Sequence, residues 1–160
     1  DYAMAGRTYR YFEGEVLYPF GFGLSYTSFE YKNLKLSPER MPGGETLHVS
    51  CEVCNIGDLM GDEVVQIYLR DEEASWAVPR LSLVGFKRIR LAPQAKTQVH
   101  FTIEPSQFAC VDDDGHWVIE PGLFTVFAGG GQPGTTGSLS ASVEMVGAPV
   151  IINEGLRTSD

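Results

Sequence analysis

Two runs of carboxylates are the first candidates for chemistry in this 160-residue chain, Asp71-Glu72-Glu73 and Asp112-Asp113-Asp114. Paired carboxyls do acid–base or nucleophilic work only when a walled pocket fixes their separation and pushes their pKa values apart. Both runs fall in predicted turns, where adjacent carboxyls fan out into water and titrate ordinarily. They read as solvated charge. A calcium loop beginning at Asp112 would need an acid or amide at 116 and a glycine at 117, and the chain has His116 and Trp117. Cys51 and Cys54 form a C-x-x-C, the spacing of a zinc or redox pair. A zinc site needs two further ligands, and His48, His100 and His116 are scattered singly. Both cysteines lie in an alternating run, Leu47, Val49, Cys51, Val53, which puts Cys51 and Cys54 on opposite faces of a strand. Cys51 then reads as a small core apolar residue and Cys54 as a residue near the strand end. The odd count of three argues against a complete disulfide framework and leaves one bridge involving Cys110 open. Gly21-Phe22-Gly23 precedes a strand rather than a helix, so it is not a phosphate loop. No catalytic residue, metal ligand or cofactor site is assigned.

Aromatic side chains are the remaining candidates. Trp76, Trp117, Tyr68 and Tyr31 could stack a sugar ring. Trp76 stands among charges in the polar loop Asp71–Arg80 and, with Tyr68, is the expected contact for a polymer or for another domain. Trp117 is expected to fill a core or to cap a hairpin. A second aromatic group is denser. Leu17-Tyr18-Pro19-Phe20-Gly21-Phe22-Gly23-Leu24-Ser25-Tyr26 crowds rings around a proline and two glycines, directly ahead of an alternating segment. This reads as an extended strap whose rings press on a surface while glycine lets the backbone come close.

The elements that must position these residues are strands. Apolar alternation marks segments at Ser25–Leu36, Glu45–Asn55, Glu63–Arg70, Leu83–Leu91, Thr97–Ile103, His116–Ile119, Leu123–Ala128 and Leu139–Val146. In the third, Val65, Ile67 and Leu69 share one face, with Val64, Gln66 and Tyr68 opposite. Turn signals separate them, among them Met41-Pro42-Gly43-Gly44, Asn55-Ile56-Gly57-Asp58 and Asp114-Gly115. Pro105-Ser106-Gln107-Phe108 suits one helical turn. Gly129–Gly137 is a glycine-rich loop. The expected fold is all-β, an antiparallel sandwich of about seven strands.

Composition narrows the partners. A charge of −9 argues against nucleic acid and anionic membranes, both of which need clustered Lys and Arg. The densest basic run, Phe86-Lys87-Arg88-Ile89-Arg90, suits a strand with its charges in water. No apolar run approaches a transmembrane helix.

Five collinear segments carry a resemblance. The strap, Asp62-Glu63-Val64-Val65-Gln66-Ile67-Tyr68-Leu69-Arg70, Leu83-Val84-Gly85-Phe86-Lys87-Arg88 with Leu91-Ala92-Pro93, Val118-Ile119-Glu120-Pro121-Gly122-Leu123-Phe124-Thr125-Val126 and the upstream Gly6–Phe12 resemble, in order, the C-terminal fibronectin type III-like domain of glycoside hydrolase family 3 enzymes. The likeness spans roughly residues 4–146. It implies residues 1–23 as a connector leaving a preceding α/β domain, 24–146 as the sandwich and 147–160 as a C-terminal tail. It also implies Arg7, Tyr9, Tyr11, Phe12, Tyr18, Phe20 and Phe22 as the residues that dock the strap on other domains of a parent β-glycosidase. A secreted or periplasmic parent would fit the resemblance. Family members hydrolyse β-glycosides with retention, which uses two carboxyls about 5–5.5 Å apart. The family places those groups in domains outside this one, and no position here matches either motif.

The resemblance therefore implies a non-catalytic domain that packs on and stabilises the catalytic domains of a β-glucosidase or β-xylosidase. A module binding plant cell-wall polysaccharide or lignin through Trp76 is one alternative. A piece of a nicked but active hydrolase is another. The isolated chain is expected to fold as a β-rich monomer that does not turn over aryl β-glucosides or β-xylosides. Turnover that survives removal of contaminating enzyme would refute this.

Overall fold

A computed structural model describes residues 8–11, 17, 20, 23, 25–134 and 137–152. Among these, the strands in chain order are β1 (Phe29–Ser37), β2 (Arg40–Pro42), β3 (Leu47–Asn55), β4 (Gly61–Asp71), β5 (Ser82–Leu91), β6 (Lys96–Ile103), β7 (Cys110–Val111), β8 (Trp117–Ile119), β9 (Gly122–Gly129), β10 (Leu139–Val146) and β11 (Val150–Ile152). Strands β1-β3-β6 form one sheet, β2-β10-β9-β4-β5 a second, and β11-β8-β7 a small third. Every pair is antiparallel except the short β10–β2 contact, which is parallel.

Alternation places the core between the two larger sheets. Rows of cross-strand neighbours run through the five-stranded sheet, Ile67–Ala128–Leu139 and Leu69–Val126–Ala141 among them. They face Val49, Cys51, Val53, Val99 and Ile103 of the other sheet, all of them buried. Strict alternation along β1 would send Leu34 and Leu36 away from Phe29 and Tyr31. A bulge between Lys32 and Lys35 corrects this, with Asn33 at φ 54°. Asparagine tolerates that left-handed conformation better than most residues, and one extra residue returns the two leucines to the core side. Pro105–Phe108 forms a 3-10 turn closed by a reciprocal Glu104–Gln107 capping pair. The β7–β8 hairpin closes with Gly115 at φ 86°, where glycine avoids the Cβ penalty.

One expectation is corrected and another is narrowed. The segment 147–160 is not a tail throughout, because Val150–Ile152 adds β11 to the edge of β8. Val150 and Ile152 pack against the core, which explains the order of a segment with no visible alternation. Trp117 is not a core residue. It is 37% exposed at the start of β8.

One carboxyl is drawn into this core edge. The Tyr31 hydroxyl donates to Glu63 Oε1 at 2.7 Å, beneath the backbone of Gly130, where a Cβ would run into the same oxygen. Burial raises the Glu63 pKa above the ordinary glutamate value, and the tyrosine hydrogen bond only partly offsets it. A carboxyl whose folded pKa is raised binds its proton more tightly in the folded state, so its contribution to stability is lost as pH rises through and above the ordinary value. Glu63→Gln keeps an acceptor for Tyr31 and removes the titration. Urea unfolding midpoints should therefore move in favour of Glu63→Gln over wild type as pH is raised from acid to neutral. A difference independent of pH would contradict this account.

Candidate docking site

The solvent-side face of the five-stranded sheet is not bare. Along β4, Gln66 and Tyr68 point away from the core, yet both are buried. The Tyr68 hydroxyl donates to Gln66 Oε1 at 2.6 Å, and Gln66 Nε2 donates to the Gly130 carbonyl at 3.1 Å. The cover is the strap. Tyr9, in the helical turn Thr8–Tyr11, meets the Tyr68 ring edge-on, with centroids 6.3 Å apart at 78°. Phe20 stacks on the other side of Tyr9 at 4.2 Å and 14°. Pairs of this kind add about 0.5–1.5 kcal/mol beyond the area they bury. Burial pushes the Tyr68 pKa up to about 12, with Tyr9 adding to the shift.

Backbone hydrogen bonds hold the strap in place. Arg80 N donates to the Arg10 carbonyl at 2.9 Å, and Leu83 N donates to the Tyr9 hydroxyl at 3.4 Å. Gln132 N donates to the Phe20 carbonyl at 3.0 Å, while Phe20 N donates to Gln132 Oε1 at 3.3 Å. Tyr9, Tyr11 and Phe20 thus lie among the described residues; Tyr9 and Phe20 contact the sandwich, and Phe20 remains 46% exposed. Arg7, Phe12, Tyr18 and Phe22 lie outside the described residues. Tyr68 is corrected as an exposed platform, since its ring is fully buried under Tyr9 and presents no face to a polymer.

Trp76 is half-buried. Its loop is anchored at both ends, by Arg80 N on Arg10 and by Ser75 N donating to Glu120 Oε2 at 3.0 Å. The neighbouring carboxylates serve local turns. Asp71 Oδ1 accepts from Glu73 N at 3.0 Å, and Glu72 Oε1 accepts from Arg70 Nε at 2.7 Å. Burial raises the Asp71 pKa, and Glu120 and Glu73 nearby add to the rise. In the β7–β8 hairpin Asp112 accepts from the backbone N–H groups of Asp114 and His116 at 3.0 and 2.8 Å. Those bonds and the His116 side chain lower its pKa. Asp112, Asp114 and His116 bring one ligand atom each within 4.8 Å of one another, but they are a turn closing on itself. Cys51 and Cys110 are buried thiols and Cys54 is half-buried. All three are free, and burial pushes Cys51 and Cys110 up to about 11. The open bridge to Cys110 is thus absent.

A polar hub that the sequence showed only as a turn signal sits where β3 ends. Asn55 is buried, and its Oδ1 accepts from Thr27 Oγ1 at 2.6 Å and from Gly57 N at 3.1 Å. Its Nδ2 donates to the carbonyls of Leu59 at 2.8 Å and Leu91 at 3.1 Å. Gln94 Nε2 donates to the carbonyl of Gly57 at 3.1 Å, holding the turn from outside. Side chains at Gly57 or Gly61 would collide with Thr27. The strap's end, the β3–β4 turn and the end of β5 are therefore one hydrogen-bonded unit. The signal for it was present in Asn55-x-Gly57-x-x-x-Gly61, but spacing does not reveal which distant carbonyls the amide meets.

The two packed sheets and their register define an immunoglobulin-like β-sandwich. Residues 63–132 match the family described as fibronectin type III-like domain. A β-xylosidase of Formosa agariphila is 42% identical over 130 residues, covering 81% of this chain and 18% of that protein. The β-glucosidase BoGH3A of Bacteroides ovatus is 39% identical over 114 residues, covering 71% of this chain and 15% of that protein. The crystal structure of a β-glucosidase from Listeria innocua in complex with gluconolactone superposes with a TM-score of 0.77 at 36% identity, over 84% of this chain and 18% of that one. Over these residues the chain is similar to the fibronectin type III-like domains carried by glycoside hydrolase family 3 enzymes. It spans less than a fifth of the length of the curated relatives it matches.

Replacing Asn55 with alanine removes the partner of the Leu91 carbonyl in a buried contact, where an unpaired group costs about 1–3 kcal/mol, and of the more accessible Leu59 carbonyl and Gly57 amide. Asn55→Ala should lower the thermal midpoint by several degrees and expose the Gly57 amide to hydrogen exchange. Unchanged exchange there would show that the hub does not hold the turn.

Proposed function

We propose that this chain is the accessory domain of a larger retaining β-glycosidase, a β-glucosidase or β-xylosidase, and that it packs on and stabilises the catalytic domains. The observation that carries the reading is the strap. A segment that resembles the connector from a preceding domain lies across the β4 face and is pinned there by Tyr9, Phe20, Arg10 and their partners. A connector fastened this way does not act as a flexible tether. It fixes the entry point of the chain, so a neighbouring domain would be held near the sandwich and not swing away from it. The share of each relative's length that this chain matches supports the same reading.

The polymer-binding alternative has less support. It rests on Trp76 and Tyr68, of which one is half-buried in an anchored loop and the other is covered by Tyr9. Sugar recognition ordinarily needs several convergent groups around an open platform.

Removing residues 25–160 from the full-length protein that carries them should shorten its half-life at elevated temperature severalfold. The KM of the surviving enzyme for an aryl β-glycoside should stay the same. A truncated enzyme as durable as the intact one would overturn the stabilising role.

A further inference from the structure

The turn between β3 and β4 presents large apolar side chains to water. Ile56, Leu59 and Met60 are 51%, 56% and 55% exposed, and Tyr26 is 96% exposed. Turns are ordinarily built from small and polar residues, and large apolar groups gathered at one mark contact surfaces. This turn is also rigid. Asn55 and Gln94 hold its backbone from inside and outside, and Thr27 Oγ1 donates its hydrogen bond to Asn55, tying the strap's end to the turn. Side chains on a fixed backbone lose little freedom on binding, which is the property of an interface anchor. Tyr26 and Met60 line an open groove of about 300 Å³ with Ser25, Gly61, Asp62 and Arg90. Asp62 pairs closely with Arg88 through one oxygen, while Arg90, the cation that lines the groove, meets only its other oxygen at 3.7 Å and is largely exposed.

We propose that Tyr26, Ile56, Leu59 and Met60 form one docking surface, occupied by the domain that precedes the strap in the parent glycosidase. That domain would offer an apolar patch and an acidic group facing Arg90. The inference rests on the accessory-domain reading and adds to it the place of contact. Two observations choose this occupant. The surface is continuous with the strap, since Tyr26 is the strap's last aromatic and Thr27 is bonded into the same hub. The relatives also carry more than four-fifths of their length outside the matched region, so a body much larger than this sandwich lies on the same chain.

The test uses the full-length protein with Leu59→Glu, Met60→Glu and, as control, Ile151→Glu, which alters a residue 59% exposed on β11. Each of the two turn variants should shorten the half-life for thermal inactivation by about tenfold, the scale of one lost interface anchor. The control should match wild type. Hydrogen-exchange protection of Lys96–Ile103 should be unchanged in all three, showing an intact sandwich, while protection of the Ile56–Met60 amides falls in the turn variants. Wild-type half-lives in both turn variants would overturn the proposal. If removal of residues 25–160 nevertheless shortens the half-life, the stabilising role stands and only this surface is wrong. If removal has no effect, both fall. Conversion of a dimer to a monomer by Leu59→Glu, with the half-life unchanged, would show that a second copy covers the surface and would also overturn the proposal.

Discussion

Strand β4 has no solvent side between Val65 and Leu69, and most of the molecule follows from that constraint. Val65, Ile67 and Leu69 face the other sheet, while Gln66 and Tyr68 face outward and are buried nonetheless. A strand buried on both faces cannot leave a polar side chain unpaired, because a buried donor or acceptor without a partner costs as much as several buried methylenes gain. Gln66 and Tyr68 solve this together. The phenol donates to the amide oxygen and the amide nitrogen reaches the Gly130 carbonyl. What remains is an apolar ring with nothing above it; Tyr9 covers it, and Phe20 stacks on Tyr9 in turn. The strap's place on the sheet is thus set by Tyr68, and the glycine-rich loop after β9 by Gln66.

Asn55 does for the open end of the sandwich what Tyr68 does for its face. It is a buried polar residue whose four bonds join the strap's end, the β3–β4 turn and the end of β5. Full satisfaction matters here. A network of this kind stiffens its surroundings when complete and weakens them when one member is missing. Both devices act on the same segment, at Tyr9 and Phe20 and again at Thr27. The sandwich therefore holds this N-terminal segment at two separate places.

This division of labour also accounts for the carboxylates. Asp71 and Asp112 are committed to closing a turn and a hairpin, and Glu72 to an ion pair with Arg70. The shift at Asp71 follows from local burial, and that at Asp112 from backbone N–H groups and His116. A shifted pKa marks a candidate active site only when it lies in a shaped cleft. The Asp112 hairpin is exposed, so its shift reports a tight turn.

Much of the fold was legible in the residues. Alternation named the core faces of β3, β4 and β6 and the water-facing charges of β5, since a period of two is set by backbone geometry alone. The Asp114-Gly115 turn and the helical turn at Pro105 were legible for the same local reason. Alternation says which residues share a face but not what covers that face. Tyr68 therefore read as a platform and is a buried floor, and Trp117, read as core or hairpin cap, stands partly in water on the β7–β8 hairpin. The bulge at Asn33 escaped because it breaks the period, and β11 because three residues are too few to show one. Ile56 was visible only as a member of a turn, and Leu59 and Met60 carried no signal of their own. Strand identity, face and turn are local properties of the chain and were determined by the sequence alone. The cover over Tyr68, the partners of Asn55 and the apolar surface at the β3–β4 turn join residues far apart in the chain, and only tertiary packing decided them.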